Sequence, residues 1–194
     1  MRRFILPLLI GLVIGGILHI VLVLVLPGIL TTSAWDRIAA LTADSPPTLG
    51  TPGAASAPII LSPPGPGEAN PLRLDPELMY AACRIDLRAA PGRVAGALPQ
   101  AFWSVAVYGR NGQVIYSTTN RDGLGRVLDI GVFNAAEVRL LAEQRFDVTD
   151  DLIVVEAEED DALVVVRLAP PHPSARPRYA AALQALTCGS IGLI

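Results

Sequence analysis

The chain has 194 residues, of which 52% are hydrophobic, 17% charged and 5% aromatic, too apolar for a disordered protein and too lightly charged for an ordinary soluble one. The net charge of -3 divides unevenly: residues 1–32 carry Arg2 and Arg3 with no acid, whereas residues 33–194 carry 13 arginines against 18 acids. That acidic balance argues against nucleic acid and against an anionic lipid surface as partners, and the absence of lysine excludes Schiff-base and lysine general-base chemistry.

The 23 residues from Phe4 to Leu26 contain His19 as their one frankly polar side chain. At 1.5 Å per residue they cover a hydrocarbon core of ~30 Å, which predicts a transmembrane helix ended by Pro27-Gly28. A cleaved signal peptide is the rival reading, with Thr32-Ser33-Ala34 as a cleavage site, but signal peptides carry an apolar run of only ~7 to 15 residues. The two arginines keep the N-terminus cytoplasmic, so the rest of the chain is expected on the far side, in a bacterium the periplasm. Gly11, Gly15 and His19 recur every four residues along one helix face. This small-residue groove suits a homodimer or a docked membrane protein; the alternative is a lipid-facing helix whose His bonds a neighbouring carbonyl.

After the helix, Thr32 or Ser33 precedes Ala34, Trp35, Ile38, Ala39 and Leu41, an interfacial turn whose Trp suits the headgroup level. From Pro46 to Pro71 come eight prolines and four glycines with Glu68 as the one charge and no apolar period. The expected division is therefore an anchor over 1–32, an interfacial turn and proline-rich tether over 33–71 that holds the distal domain off the bilayer, and a periplasmic domain over 72–194.

Within that domain, residues 79–87 and 93–98 read as strands separated by a Pro91-Gly92 turn. Residues 102–108 alternate, with Trp103, Val105 and Val107 on one face. Asn111-Gly112 then predicts a hairpin into residues 113–118, with both turn residues at positive φ. Asn134 with Glu137 is a capping pair that opens a helix over 135–144. Residues 152–157 and 163–168 flank Glu158-Glu159-Asp160-Asp161 and read as a second hairpin. Tyr179, Leu183 and Leu186 mark a C-terminal helix that returns Cys188 to the sheet. The fold class is α+β, mainly β: a sandwich-like sheet domain with one or two helices behind one transmembrane helix. Cys83 and Cys188 form a structural disulfide if the domain is exported, closing a loop of about a hundred residues; two unpaired buried thiols are the alternative.

The order DPELMYAACRIDL, then FWSVAVYGRNGQVIYSTTNRDG, with a leading GGILHIVLVLVLP and a terminal LTC, resembles the small membrane-anchored proteobacterial proteins of domain of unknown function 1254. The most specific part of the likeness runs from Phe102 to Gly123, with Gly109-Arg110 before the turn and Asn120-Arg121-Asp122 after it. The resemblance implies a β-rich sandwich and membrane attachment, and brings no established reaction.

Catalytic constellations are not found in the residues. His172 sits in Pro170-Pro171-His172-Pro173 as the only imidazole outside the helix, a poor base for a Ser or Cys nucleophile. Cys188-Gly189-Ser190-Ile191-Gly192 lacks the first glycine of a nucleophile elbow. No zinc or other metal set has the right spacing, and no cofactor is expected. The acids Glu156, Glu158, Glu159, Asp160 and Asp161, with Asp147, Asp150 and Asp151 upstream, read as a solvated hairpin tip and not as calcium ligands. Arg84, Asp86, Arg110, Arg121 and Asp122, with Tyr108 and Tyr116 beside them, are the candidate ligand-binding set. Gathered into one cleft, they would hold an anionic or polar ligand through bidentate arginines; otherwise they are ion pairs between strands. The expected function is thus a single-pass inner-membrane protein whose periplasmic domain serves binding or envelope assembly, a non-enzyme by preference. The alternatives are an accessory subunit docked through Gly11, Gly15 and His19, and a small periplasmic hydrolase using the Arg and Asp cleft.

Overall fold

A computed structural model describes residues 2–30, 35–38, 55–63, 65, 67–88, 90–122, 127–143, 148–149 and 151–192. The chain divides into two units, Met1–Ser33 and Ala34–Ile194. The first holds α1 (Arg2–Leu30), in which Phe4–Leu26 is long and apolar enough to cross a membrane and wholly unburied. The helix runs on past Pro27-Gly28, contrary to the expected stop: proline removes a single main-chain donor, and the helix completes its last turn without it.

The second unit is an α+β, mainly β sandwich. Its strands are β1 (Ala55–Ser56), β2 (Ile59–Leu61), β3 (Met79–Asp86), β4 (Gly92–Ala97), β5 (Trp103–Gly109), β6 (Val114–Thr119), β7 (Val127–Asn134), β8 (Ile153–Ala157), β9 (Asp161–Leu168) and β10 (Thr187–Ser190). Helix α2 (Ala135–Ala142) joins β7 to β8, and a 3-10 turn (Pro173–Ala175) with α3 (Arg176–Gln184) joins β9 to β10. Among the described residues one sheet has the order β1-β10-β4-β7-β8 and the other β2-β3-β9-β5-β6. Every pairing is antiparallel except β7 with β8, which are parallel, as the intervening helical crossover requires.

Period-two alternation builds the core between the sheets. Cys83 and Ile85 of β3, Trp103, Val105 and Val107 of β5, and Val164, Val166 and Leu168 of β9 meet Val94, Leu128, Ile130 and Val132 of the opposite sheet. Each such side chain contributes roughly 1.5–3 kcal/mol by leaving water. Cys83 and Cys188 are joined by a disulfide, so the bond ties β3 of one sheet to β10 of the other, 105 residues apart in sequence. Tyr179 and Leu183 of α3 close the same core.

β9 is buried along nearly its whole length because its other face is also covered. There Leu163 and Val165 lie with Tyr80, Ala82 and Leu61 beneath Trp35 and Ile38. Trp35 is thus packed on the sheet and does not serve as a headgroup anchor, because the outer face of β3 and β9 is itself apolar and takes the ring. The rest of that expected turn, residues 31–34 and 39–41, lies outside the described residues.

The proline-rich segment also departs from expectation over 55–61. β1 pairs with β10 and β2 with β3, so one short run of chain edges both sheets, and Leu61 is buried. Main-chain pairing at a sheet edge needs no apolar period, and prolines are tolerated there. The folded unit therefore begins upstream of Leu72. Trp35 and Ile38, which pack on it, precede the proline-rich stretch, of which residues 46–54 lie outside the described residues.

The hairpin at Asn111-Gly112 is present, but only Gly112 takes positive φ, at 77°. Gly112 N–H donates to Gly109 O at 2.9 Å and Gly109 N–H to Gln113 O at 3.0 Å, a three-residue loop with a bulge rather than the expected two-residue turn. The second expected hairpin is absent: β8 and β9 belong to different sheets, and residues 158–160 cross between them. Parallel pairing with β7 claims β8, while the doubly buried β9 takes the centre of the opposite sheet.

Candidate functional site

The candidate polar residues separate into two groups at opposite ends of β5. At the Gly109 end, β3, β9 and the β5–β6 turn bring Arg84, Asp86 and Arg110 together. Arg84 Nη2 donates to Asp161 Oδ1 at 3.2 Å, and Arg110 Nη1 lies 3.9 Å from Asp161 Oδ2. The Arg110 backbone N–H and Asn111 Nδ2 donate to the two oxygens of Glu159, at 3.2 and 2.8 Å. Asp86 is gripped by Arg88, whose Nε and Nη2 donate to its two oxygens at 2.7 and 2.6 Å. That guanidinium holds the Asp86 carboxyl below the usual carboxylate range against the opposing effect of burial, and Asp86 in turn raises the Arg88 guanidinium.

Arg84, Asp86 and Arg110 each meet an opposite charge, the behaviour of ion pairs that stitch strands and a turn together. Asp161 is buried, at 7% exposure, so the acidic run is not simply a solvated tip; the first residue of β9 is covered on the outer face, where it meets Arg84. Asp151 precedes β8, Glu156 is exposed on it and residues 158–160 follow it, while Asp147 and Asp150 lie outside the described residues.

At the Trp103 end stand Arg121 and Asp122. The Asn120 N–H donates to Trp103 O at 3.2 Å and fixes this loop against the start of β5. Asp122 Oδ2 accepts from Thr119 N–H at 2.7 Å and from the Thr118 and Thr119 hydroxyls at 3.0 Å each, bonds that lower its carboxyl below the usual range. Arg121 lies over the Phe102 ring, 5.8 Å from its centroid. Phe102, Trp103, Asn120 and Arg121, with residues 99–101, line an open hollow of about 470 Å³ in which Asn120 Oδ1 is buried without a hydrogen-bond partner. Seven residues of β5 at ~3.4 Å each separate this end from Arg110, so the five candidates do not form one cleft.

Arg88 was not singled out from the sequence, and Asn111, Asp161 and Glu159 were read there as turn or tip residues and not as partners of the candidate arginines. A separate pair, Arg93 to Asp129, is bidentate at 2.8 and 2.6 Å and joins β4 to β7, with the Thr149 hydroxyl donating to the same carboxylate. The acid two residues before Arg88 was a usable local signal. The Arg84–Asp161 and Arg93–Asp129 pairs had none, being set by strand pairing.

The outer face of the β3–β9–β5 sheet carries a more enclosed feature. Trp35, Ile38, Leu61, Leu72 and Leu74 wall a groove of about 190 Å³ floored by Tyr80, Tyr108, Leu163 and Val165. Its one charged lining residue is Arg167, whose guanidinium donates to the Tyr108 hydroxyl. The groove carried no local sequence signal, since its walls and floor come from segments scattered between Trp35 and Arg167.

In α1, Gly11 and Gly15 have open space around them and His19 is exposed, which leaves the small-residue face uncovered in this single chain.

No family model and no curated protein matches the chain. Among solved structures it is similar to the VPA0106 protein from Vibrio parahaemolyticus, with 9% identity, a TM-score of 0.48, and coverage of 60% of this chain and 28% of that one. It is also similar to an uncharacterized protein from Burkholderia cenocepacia, with 17% identity, a TM-score of 0.44, and coverage of 81% of this chain and 39% of that one. The chain thus spans well under half the length of either.

Proposed function

We propose that the chain is a single-pass inner-membrane protein, N-terminus in the cytoplasm, that presents its disulfide-stapled β-sandwich in the periplasm as a binding or envelope-assembly module. The observation that carries this reading is the pairing of Cys83 with Cys188 across the sandwich, in a chain that also holds one apolar helix of membrane-spanning length. A bond of this kind persists in an oxidising compartment, and the arginines before the helix favour delivery of the domain to that side. The layout is also the one implied by the resemblance to domain of unknown function 1254. A binding role accords with the site chemistry: Arg84 and Arg110 are engaged with Asp161, and Asp86 with Arg88, whereas the Arg121 hollow and the outer groove are open to a ligand.

The test is a pair of reporters fused after Ile194 and expressed in a Gram-negative host. Alkaline phosphatase activity, silence of a fluorescent reporter that folds only in the cytosol, and retention in alkali-washed membranes are expected. Cytosolic fluorescence, or release of the protein by the wash, overturns the reading.

A further inference from the structure

The outer groove combines two chemistries that rarely meet without reason. Its walls and floor are aliphatic and aromatic, whereas Arg167 stands on β9 in the same outward row as Leu163 and Val165. A guanidinium in apolar surroundings ordinarily takes a carboxylate, because a cation withdrawn from water is costly unless an opposite charge compensates it. Here no acid among the described residues lies within ion-pair distance of Arg167; its partner is the neutral Tyr108 hydroxyl, with the Tyr108 ring 6.0 Å from the guanidinium carbon. Among the described residues the groove therefore offers a guanidinium with no carboxylate beside it, next to an apolar wall. The groove, about 190 Å³, is too narrow for a folded partner's element and suits a stretch of single alkyl chain.

We propose that this groove binds a fatty acid. Its carboxylate is held by Arg167 and hydrogen-bonded by the Tyr108 hydroxyl, and its methylene chain lies along Leu163, Val165 and Leu61. The domain's net negative charge repels an extended anionic surface, but a single carboxylate meets the local field of one unpaired guanidinium. Because apolar burial contributes per methylene, lengthening the chain should strengthen occupancy about two- to fourfold for each carbon that finds wall to cover, then level off once the groove is filled.

The experiment uses the full chain in native membranes and a dodecanoic acid carrying a photoactivatable diazirine near its methyl end, with adducts mapped by peptide mass spectrometry. Adducts are expected on the peptides that carry Leu61, Leu72 to Leu74 and Leu163 to Arg167. Excess dodecanoate should displace them at least fivefold, and excess dodecanol should not. The same diazirine chain presented as dodecanol, or esterified in phosphatidylglycerol, should label these peptides at least fivefold less. Arg167→Met should lose the labelling while Arg121→Met retains it, with an intact Cys83–Cys188 bond reporting that each variant is folded. Adducts confined to residues 4–26, equal labelling by the alcohol or the phospholipid, or unchanged labelling of folded Arg167→Met overturns the proposal. The alcohol and phospholipid arms use the unmodified protein and remain decisive even if the variant misfolds. None of these outcomes depends on which side of the membrane the domain occupies.

Discussion

Asp161 opens β9 as the last of four consecutive acids, and nothing in that run distinguishes it from its neighbours. Strand alternation sets it in the outward row with Leu163 and Val165, and the antiparallel register of β3 with β9 then places Arg84, on the same face, within reach of it. Both charges are only partly withdrawn from water, with 10% of the Asp161 side chain and 37% of the Arg84 side chain exposed, so the pair is screened less than a surface bridge and more than a core one. Replacing Asp161 by Ala should destabilise the domain by about 1–2 kcal/mol, through loss of the charged bond and the unpaired Arg84 left behind. Urea unfolding checks this, with Arg110→Ala as the contrast. At 3.9 Å and 68% side-chain exposure, Arg110 should cost no more than about 0.5 kcal/mol.

At the scale of elements, α2 was legible because its signal is local. Asn134 Oδ1 accepts from Ala136 and Glu137 N–H at 3.0 and 2.9 Å, and Glu137 Oε2 accepts from Asn134 N–H at 2.7 Å, a reciprocal cap contained within four residues. Burial pushes the Glu137 carboxyl upward, opposed by the Asn134 N–H and reinforced by the charge on Asp160. A carboxyl raised in the folded state favours folding below its unfolded titration range, and that contribution fades as pH rises through the folded value. Glu137→Gln retains an N3 acceptor without the charge. The stability of the native chain relative to this variant should therefore fall as pH rises from the ordinary carboxylate range towards neutrality, as read by thermal melts from pH 4 to 7. No change with pH, or a change of opposite sign, refutes the assignment. β8 and β9 show the converse: two apolar runs with a short charged connection look alike whether they pair with each other or cross between sheets, because the difference lies in their distant partners.

In the whole sandwich the two sheets are joined by packed side chains, by the segment that carries β1 and β2, and by the Cys83–Cys188 bond. Closing a loop of ~100 residues stabilises by up to ~4.7 kcal/mol through restriction of the unfolded chain, so Cys83→Ala with Cys188→Ala should cost roughly 2–4 kcal/mol. The expected result is a lower guanidinium midpoint that reductant no longer shifts, whereas reductant lowers the midpoint of the native chain. An unchanged midpoint would remove the bond from the list of what holds the sheets together.

The membrane-length helix, the strands over 79–86, 92–97 and 103–109, the β5–β6 hairpin and the α2 cap were determined by sequence alone, since each follows from periodicity, turn chemistry or capping within a few residues. Tertiary structure decided that Trp35 and residues 55–61 join the domain, that β8 and β9 part company, that the five polar candidates divide between two ends of β5, and that Arg167 faces an apolar groove. Those outcomes depend on which distant strand or side chain completes each hydrogen bond, buried face or charge, and a local pattern states the need for a partner without saying where in the chain it lies.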